Sequence, residues 1–501
     1  MNIKQAKEEI KHTVRAYLAK DETGRYRIPA VRQRPILLIG PPGIGKTQIM
    51  EQIARECRIG LVAYTITHHT RQSAVGLPYI KEETYQNTTY SITEYTMSEI
   101  IASIYQKMRD SKLSEGILFI DEINCVSETL APTMLQFLQC KTFGNQSVPK
   151  GWIIVAAGNP PEYNKSVRDF DMVTLDRVRY MDLEADFSVW KEYANASQIH
   201  RAILSYLELR PNNFYRVEAD IDGMQFVTAR GWEDLSHLMK LYEELRLPIT
   251  ESVVYEFLHH KETAMDVAAY LDLYHKYEDD YGIADILKGT ISPHVFARIS
   301  RAAFDERLSV TSLLSDGLSN YFSSAAREKY RTDLWYDFLK TFRSELSDAK
   351  DPGICYSRIL NQLEETFKLE QEGNLLTTAQ CKNKEWLFQN LKKEIPENGQ
   401  TPKEAFTRVK NAFDLQLNLL EETELAAGIA LEHAFDFMEE AFRGSQEMVV
   451  FVTNLTIGVD ASAFLTEHPS ERYTRYTKEL LIGTRREQLL SELVKDTEQF
   501  T

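Results

Sequence analysis

Cysteine is scarce in this chain of 501 residues: Cys57, Cys125, Cys140, Cys355 and Cys381 lie apart, with no CxxC pair and no Cys/His cluster. Neither a disulfide framework nor a zinc site can be built from them, and reduced, buried thiols are the expectation. Long apolar runs are missing as well. Residues Met1 to Lys20 are rich in charge where a signal peptide would be apolar, and no later stretch approaches the length of a membrane span. A cytoplasmic protein with no membrane partner is therefore expected. Positive charge is in deficit, with 58 Lys plus Arg against 74 Asp plus Glu and a formal net charge of -16. Such a balance repels nucleic acid and anionic membrane on average, which argues against both as partners. Proline and glycine are modest, and neither a repeat nor a low-complexity tract is found. What is present is the mixture of a globular chain, 43% hydrophobic and 26% charged. Its length predicts roughly two to four domains.

Ile3, Ala6, Ile10, Val14 and Leu18 recur at helical spacing and predict one amphipathic helix, with an N-terminal segment over 1–30. From Pro35 onward, short apolar runs alternate with helical patterns. The runs are Ile36–Ile39, Leu61–Tyr64, Ile117–Ile120 and Ile153–Ala157. Continuous apolar strands between helices imply a parallel sheet covered on both faces. Two stretches break the rhythm and read as hairpins. One is the Thr- and Tyr-rich segment from Val75 to Thr96, and the other surrounds Gly144-Asn145-Gln146. After about Leu183 the pattern turns helical and is expected to stay so. Thr401-Pro402-Lys403-Glu404 opens one of the later helices with a capping box and a proline at the first helical position.

Gly40-Pro41-Pro42-Gly43-Ile44-Gly45-Lys46-Thr47 fits GxxxxGK(S/T), follows an apolar strand and opens a helix. Backbone N–H groups of such a loop curl around phosphate oxygens, assisted by the helix dipole. Lys46 would reach the β and γ phosphates, and the Thr47 hydroxyl would ligate magnesium. Asp121 and Glu122 follow the buried run Ile117–Ile120. They therefore fall at the carboxyl end of a strand, where parallel sheets bind ligands. Asp121 suits magnesium and Glu122 suits a general base acting on water. A lone Asp-Glu pair more often caps a helix, but the loop upstream shifts the balance to chemistry. Asn159, after the run Ile153–Ala157, brings an amide to the corresponding end of another strand. There it can sense the γ phosphate or orient water.

In this order the motifs resemble the AAA+ superfamily, and the surrounding residues look like its MoxR branch, related to the magnesium chelatase ATPase subunit. Ile153 to Pro160 is similar to that branch's sensor 1 strand, which makes Asn159 the sensor. Leu175-Asp176-Arg177-Val178 resembles the segment carrying the arginine finger, with Val178 in place of Phe. Arg177 is thus the finger candidate, and Arg168 within Ser166-Val167-Arg168-Asp169 is its rival. Thr228-Ala229-Arg230-Gly231-Trp232 looks like the start of the lid helix, with the sensor 2 arginine falling on Arg230. The hairpins fall where the branch carries its helix 2 insertion and its pre-sensor 1 hairpin.

The resemblance implies an α/β P-loop AAA+ core with a parallel sheet over 31–185, a helical lid over 186–245 and a mostly α-helical C-terminal region over 246–501. It also implies ATP with Mg2+, a homo-oligomeric ring of hexamer type, and chaperone-like work on a protein client. A partner containing a von Willebrand factor A domain belongs to the same analogy. Three rivals remain open. A nucleic-acid motor has only Lys141 and Lys150 flanking one hairpin to support it. A metal-chelatase ATPase subunit and an ATP-binding scaffold without turnover are the others. His68-His69 and His259-His260 lack carboxylate or Cys partners at ligand spacing and read as solvated or helix-face histidines.

Overall fold

The computed structural model describes residues 1–480 apart from 69–73, 144–145, 164–166, 168–169, 221–222, 348–350, 398 and 443. These residues group into two compact units. The first comprises Met1–Val189, Thr228–Arg230 and Leu360–Glu385, and the second Trp190–Val227, Gly231–Ile359 and the described residues from Trp386 onward.

In the first unit, helix α1 (Ile3–Leu18) opens on a capping box. The Asn2 side chain accepts from the Gln5 N–H, and the Gln5 side chain accepts from the Asn2 N–H. Its apolar stripe, Ala6, Ile10 and Val14, is buried as the spacing predicts. The strands run β1 (Ile36–Ile39), β2 (Gly60–Thr65), β3 (Pro78–Tyr85), β4 (Thr88–Tyr95), β5 (Gly116–Asp121), β6 (Thr142–Phe143), β7 (Gln146–Ser147), β8 (Trp152–Gly158) and β9 (Arg179–Asp182). Five of them form one sheet in the order β2-β5-β8-β1-β9, all parallel. Ile36 to Leu38 and Ile117 to Ile120 are fully buried, because helices cover both faces of a parallel sheet.

Strand β9 has no counterpart among the apolar runs of the sequence. It lies at the sheet edge, and of its residues only Met181 is buried. Both expected hairpins form. The β3–β4 pair turns through Gln86 and Asn87, each with positive φ (49° and 63°), as a two-residue hairpin loop requires. It displays Tyr79, Ile80, Tyr85 and Tyr90 to solvent. Strands β6 and β7 pair on either side of 144–145, so Gly144 and Asn145 lie outside the described residues.

Helices of the first unit include α2 (Lys46–Cys57), α3 (Glu99–Ser111), α4 (Ala131–Cys140) and α5 (Met172–Leu175). Helix α6 (Ala229–Leu245) begins in it and continues into the second unit.

The second unit is mostly helical, yet the expected unbroken helical pattern after Leu183 is wrong in one place. Strands β10 (Arg216–Asp220) and β11 (Gly223–Val227) form an antiparallel hairpin. Its residues are largely exposed, so no apolar run announces it. Two long helices, α7 (Phe304–Leu346, 43 residues) and α8 (Pro402–Phe442, 41 residues), pack along each other. The capping box at the start of α8 is present: the Thr401 N–H donates to Glu404 Oε2 at 2.9 Å, and the Glu404 N–H donates to Thr401 Oγ1 at 3.3 Å. His260 is buried and caps a helix, its Nδ1 accepting from the Thr263 N–H at 3.2 Å. Among the described residues, no single helix is long and apolar enough to cross a membrane.

Candidate nucleotide site

The sheet order sets the site. Strand β8 lies between β5 and β1, so the loops leaving these three strands meet at their carboxyl ends. Beyond β1, residues 40–45 form the glycine loop that enters α2. Gly43 has φ +73°, and a Cβ there would come within 2.9 Å of the Thr228 Cβ, so a side chain is excluded by both conformation and space.

Lys46, the first residue of α2, is 8% exposed. Its Nζ donates to Gly40 O at 2.7 Å, to Pro41 O at 2.9 Å and to Asn159 Oδ1 at 2.8 Å. Burial pushes its amine down to about 8; the Asp121 carboxylate opposes this shift and the Arg230 guanidinium adds to it. A buried ammonium with three protein acceptors is a group that an anion can draw away from them.

Thr47 Oγ1 donates to Asp121 Oδ2 at 3.1 Å, and Asp121 Oδ1 accepts the Glu122 N–H at 2.9 Å. The carboxylate is thus oriented at both oxygens. A hydroxyl and a carboxylate oxygen side by side form an oxygen donor set that fits a hard divalent cation retaining several waters. Glu122 has φ +56°, a left-handed conformation uncommon for a residue with a Cβ. Its Oε2 accepts from Thr67 Oγ1 at 3.0 Å, on the segment that follows β2.

Arg230, in the first turn of α6, donates its backbone N–H to Gly43 O at 3.1 Å. Its side chain is exposed, and its charge bears on Lys46. Arg177 stands elsewhere: it follows α5, is exposed, and donates to Gln139 Oε1 on α4. Asp171 caps α5 by accepting from the Thr174 N–H at 2.8 Å, and Thr174's hydrogen bonds hold that carboxyl below its usual range. Arg168 lies outside the described residues.

Gly43, Lys46, Thr47, Asp121, Asn159 and Arg230 are therefore linked by contact, with Glu122 adjoining, and Arg177 faces solvent. Two residues of this neighbourhood, Thr67 and Asn124, went unmarked in the sequence reading. Asn124 stands two positions after Glu122 and could have been flagged by that nearness. Thr67 gives no signal, because only the sheet brings it to Glu122.

A glycine loop between a buried strand and a helix, with a hydroxyl, a carboxylate and an amide gathered around one lysine, defines a P-loop nucleotide-binding domain. Residues 36–174 match the family model for AAA, the ATPase family associated with various cellular activities, so this part of the chain is an AAA+ ATPase domain. A comparison with curated proteins finds no match.

Proposed function

We propose that the protein hydrolyses ATP with Mg2+ at a site shared between neighbouring copies of itself in a ring, and that turnover drives remodelling or maturation of a protein client in the cytoplasm. The observation that carries this reading is the separation of Arg177 from the cluster around Lys46. Every other group needed for phosphoryl transfer is near the loop, while this arginine is presented outward on Gln139. An arginine supplied by a neighbour makes hydrolysis depend on assembly.

In this mechanism Lys46 leaves Asn159 for the β and γ phosphates, and the loop amides hold the phosphate chain. Thr47 and Asp121 would hold the magnesium ion, which supplies charge neutralisation at the phosphates when bound. Glu122 takes a proton from water as the water oxygen bonds to the γ phosphorus and the bond to the β–γ bridging oxygen breaks, leaving ADP and phosphate. Asn159 orients that water, and Arg230 and the neighbour's arginine stabilise charge on the transferring group.

Resemblance to the MoxR branch supports the client-remodelling role and a von Willebrand factor A domain partner; the C-terminal region from residue 246 would dock it or brace the ring. A nucleic-acid motor loses support from Lys141. Its amine donates to Ala30 O at 2.7 Å, and burial pushes it down to about 8, so it is not a free cation on the hairpin.

Phosphate release by the wild type, Lys46→Ala and Glu122→Gln tests the reading. Lys46→Ala is expected to lose nucleotide binding, whereas Glu122→Gln keeps binding and loses turnover. Turnover that survives in Glu122→Gln would contradict it.

A further inference from the structure

After Asp121 the chain leaves β5 through a turn fastened to the end of β8 at two points. The Ile123 N–H donates to Ala157 O at 2.9 Å, and Asn124 Nδ2 donates to Asn159 O at 2.8 Å. Between them and Asp121 sits Glu122 with φ +56°, a conformation that persists only when surrounding bonds enforce it.

Asn124 is 5% exposed, and its Oδ1 has no hydrogen-bond partner among the described residues. Keeping a buried amide oxygen unpaired is costly, and an apolar side chain of similar size would avoid that cost. The amide also fills the gap left by the missing side chain of Gly158. A Cβ built there would come within 2.3 Å of Asn124 Oδ1. What the amide provides in return is its Nδ2 bond to the main chain of Asn159, whose own Oδ1 accepts from Lys46 at 2.8 Å. One side chain thus ties the turn carrying Glu122 to the residue facing the phosphate-binding lysine.

We infer that Asn124 is a positioning residue for hydrolysis, fixing Glu122 and Asn159 at one separation so that the base and the amide address the same water. This inference rests on the ATPase reading of the same site. The hydrogen bond of Asn124 goes to the main chain of Asn159 and not to Lys46, the glycine loop or Thr47, so the clamp is expected to act on the chemical step.

The test uses the full chain with ATP and magnesium. Asn124→Ala is expected to lower kcat about a hundredfold, the order expected when a reacting group is misplaced by about 1 Å. KM, nucleotide affinity and the unfolding midpoint are expected to stay within about twofold or a few degrees of wild type. Asn124→Asp, nearly the same shape, loses the donor and adds a negative charge near Glu122. It is expected to lose kcat similarly. In the double variant Asn124→Ala/Gly158→Ala the new methyl refills the gap without restoring the bond, and kcat is expected to stay low. Recovery of kcat in that double variant would reduce Asn124 to packing and overturn the inference. So would unchanged kcat in Asn124→Ala and Asn124→Asp, or a loss shared by affinity and kcat alike. These results count against Asn124 alone when wild type turns over and Glu122→Gln does not. If Glu122→Gln turns over like wild type, or wild type does not turn over at all, the ATPase reading falls and this inference with it.

Discussion

Lys46 is the residue whose chemistry is most directly measurable. Burial holds its amine down to about 8, so in the free protein it is an ammonium below that pH and a neutral amine above it. Phosphate binds the charged form, and bound phosphate restores the amine towards its ordinary range. Nucleotide affinity should therefore be level below about pH 8 and fall by up to about tenfold per pH unit above it, with proton uptake on binding. Calorimetric titrations near pH 8.5 in buffers of different ionisation enthalpy measure that uptake; affinity independent of pH from 7 to 9.5 would contradict it. Thr67 offers a second test. Its hydroxyl donates to Glu122 in an exposed contact, where a hydrogen bond contributes about 0.5–1.5 kcal/mol net. Thr67→Val frees the carboxylate and is expected to raise turnover by about tenfold or less, with nucleotide affinity unchanged in an equilibrium titration. At this scale the motif residues were legible, because a loop, a hydroxyl and an acidic pair are adjacent or follow apolar runs in the chain. Thr67 was not, since Glu122 reaches it only across the sheet, and Asn124, although two positions from Glu122, gains its bond to Asn159 only where β5 and β8 are neighbours.

Among the elements, those buried on both faces could be read directly. Strands β1, β5 and β8 are continuous apolar runs, and their order puts the three loops of the site together. Strand β9 and the β10–β11 hairpin could not be read. An edge strand and an exposed hairpin bury few residues, so their sequences carry polar side chains that resemble loops or helix faces. Helix α8 was visible from its capping box and α7 only as part of a helical region, and the polar contact inside their packing was hidden. Glu328 on α7 is 4% exposed and is met by Arg331 Nη1 at 3.0 Å and by Gln416 Nε2 of α8 at 2.9 Å. Gln416→Leu makes the seam more apolar and yet removes a donor from a buried carboxylate. It is expected to destabilise the protein by about 1–3 kcal/mol, read as a lower denaturant midpoint. A higher midpoint would mean that Glu328 is satisfied without Gln416.

For the whole molecule, the AAA+ domain was legible from three motifs, whereas the role of the C-terminal half was not. Helical periodicity records which faces are buried and carries no chemistry of its own. The central claim concerns Arg177, exposed on Gln139 and apart from the loop of its own chain. The most direct measurement is phosphate release from Glu122→Gln and Arg177→Ala, each alone and mixed, over a range of protein concentrations. Each variant alone is expected to be reduced by roughly a thousandfold or more. The mixture is expected to recover activity, because a subunit keeping Glu122 can take Arg177 from its neighbour, and specific activity should rise with concentration. Activity that survives Arg177→Ala, does not depend on concentration and gains nothing from mixing would show a self-contained site and contradict the shared one.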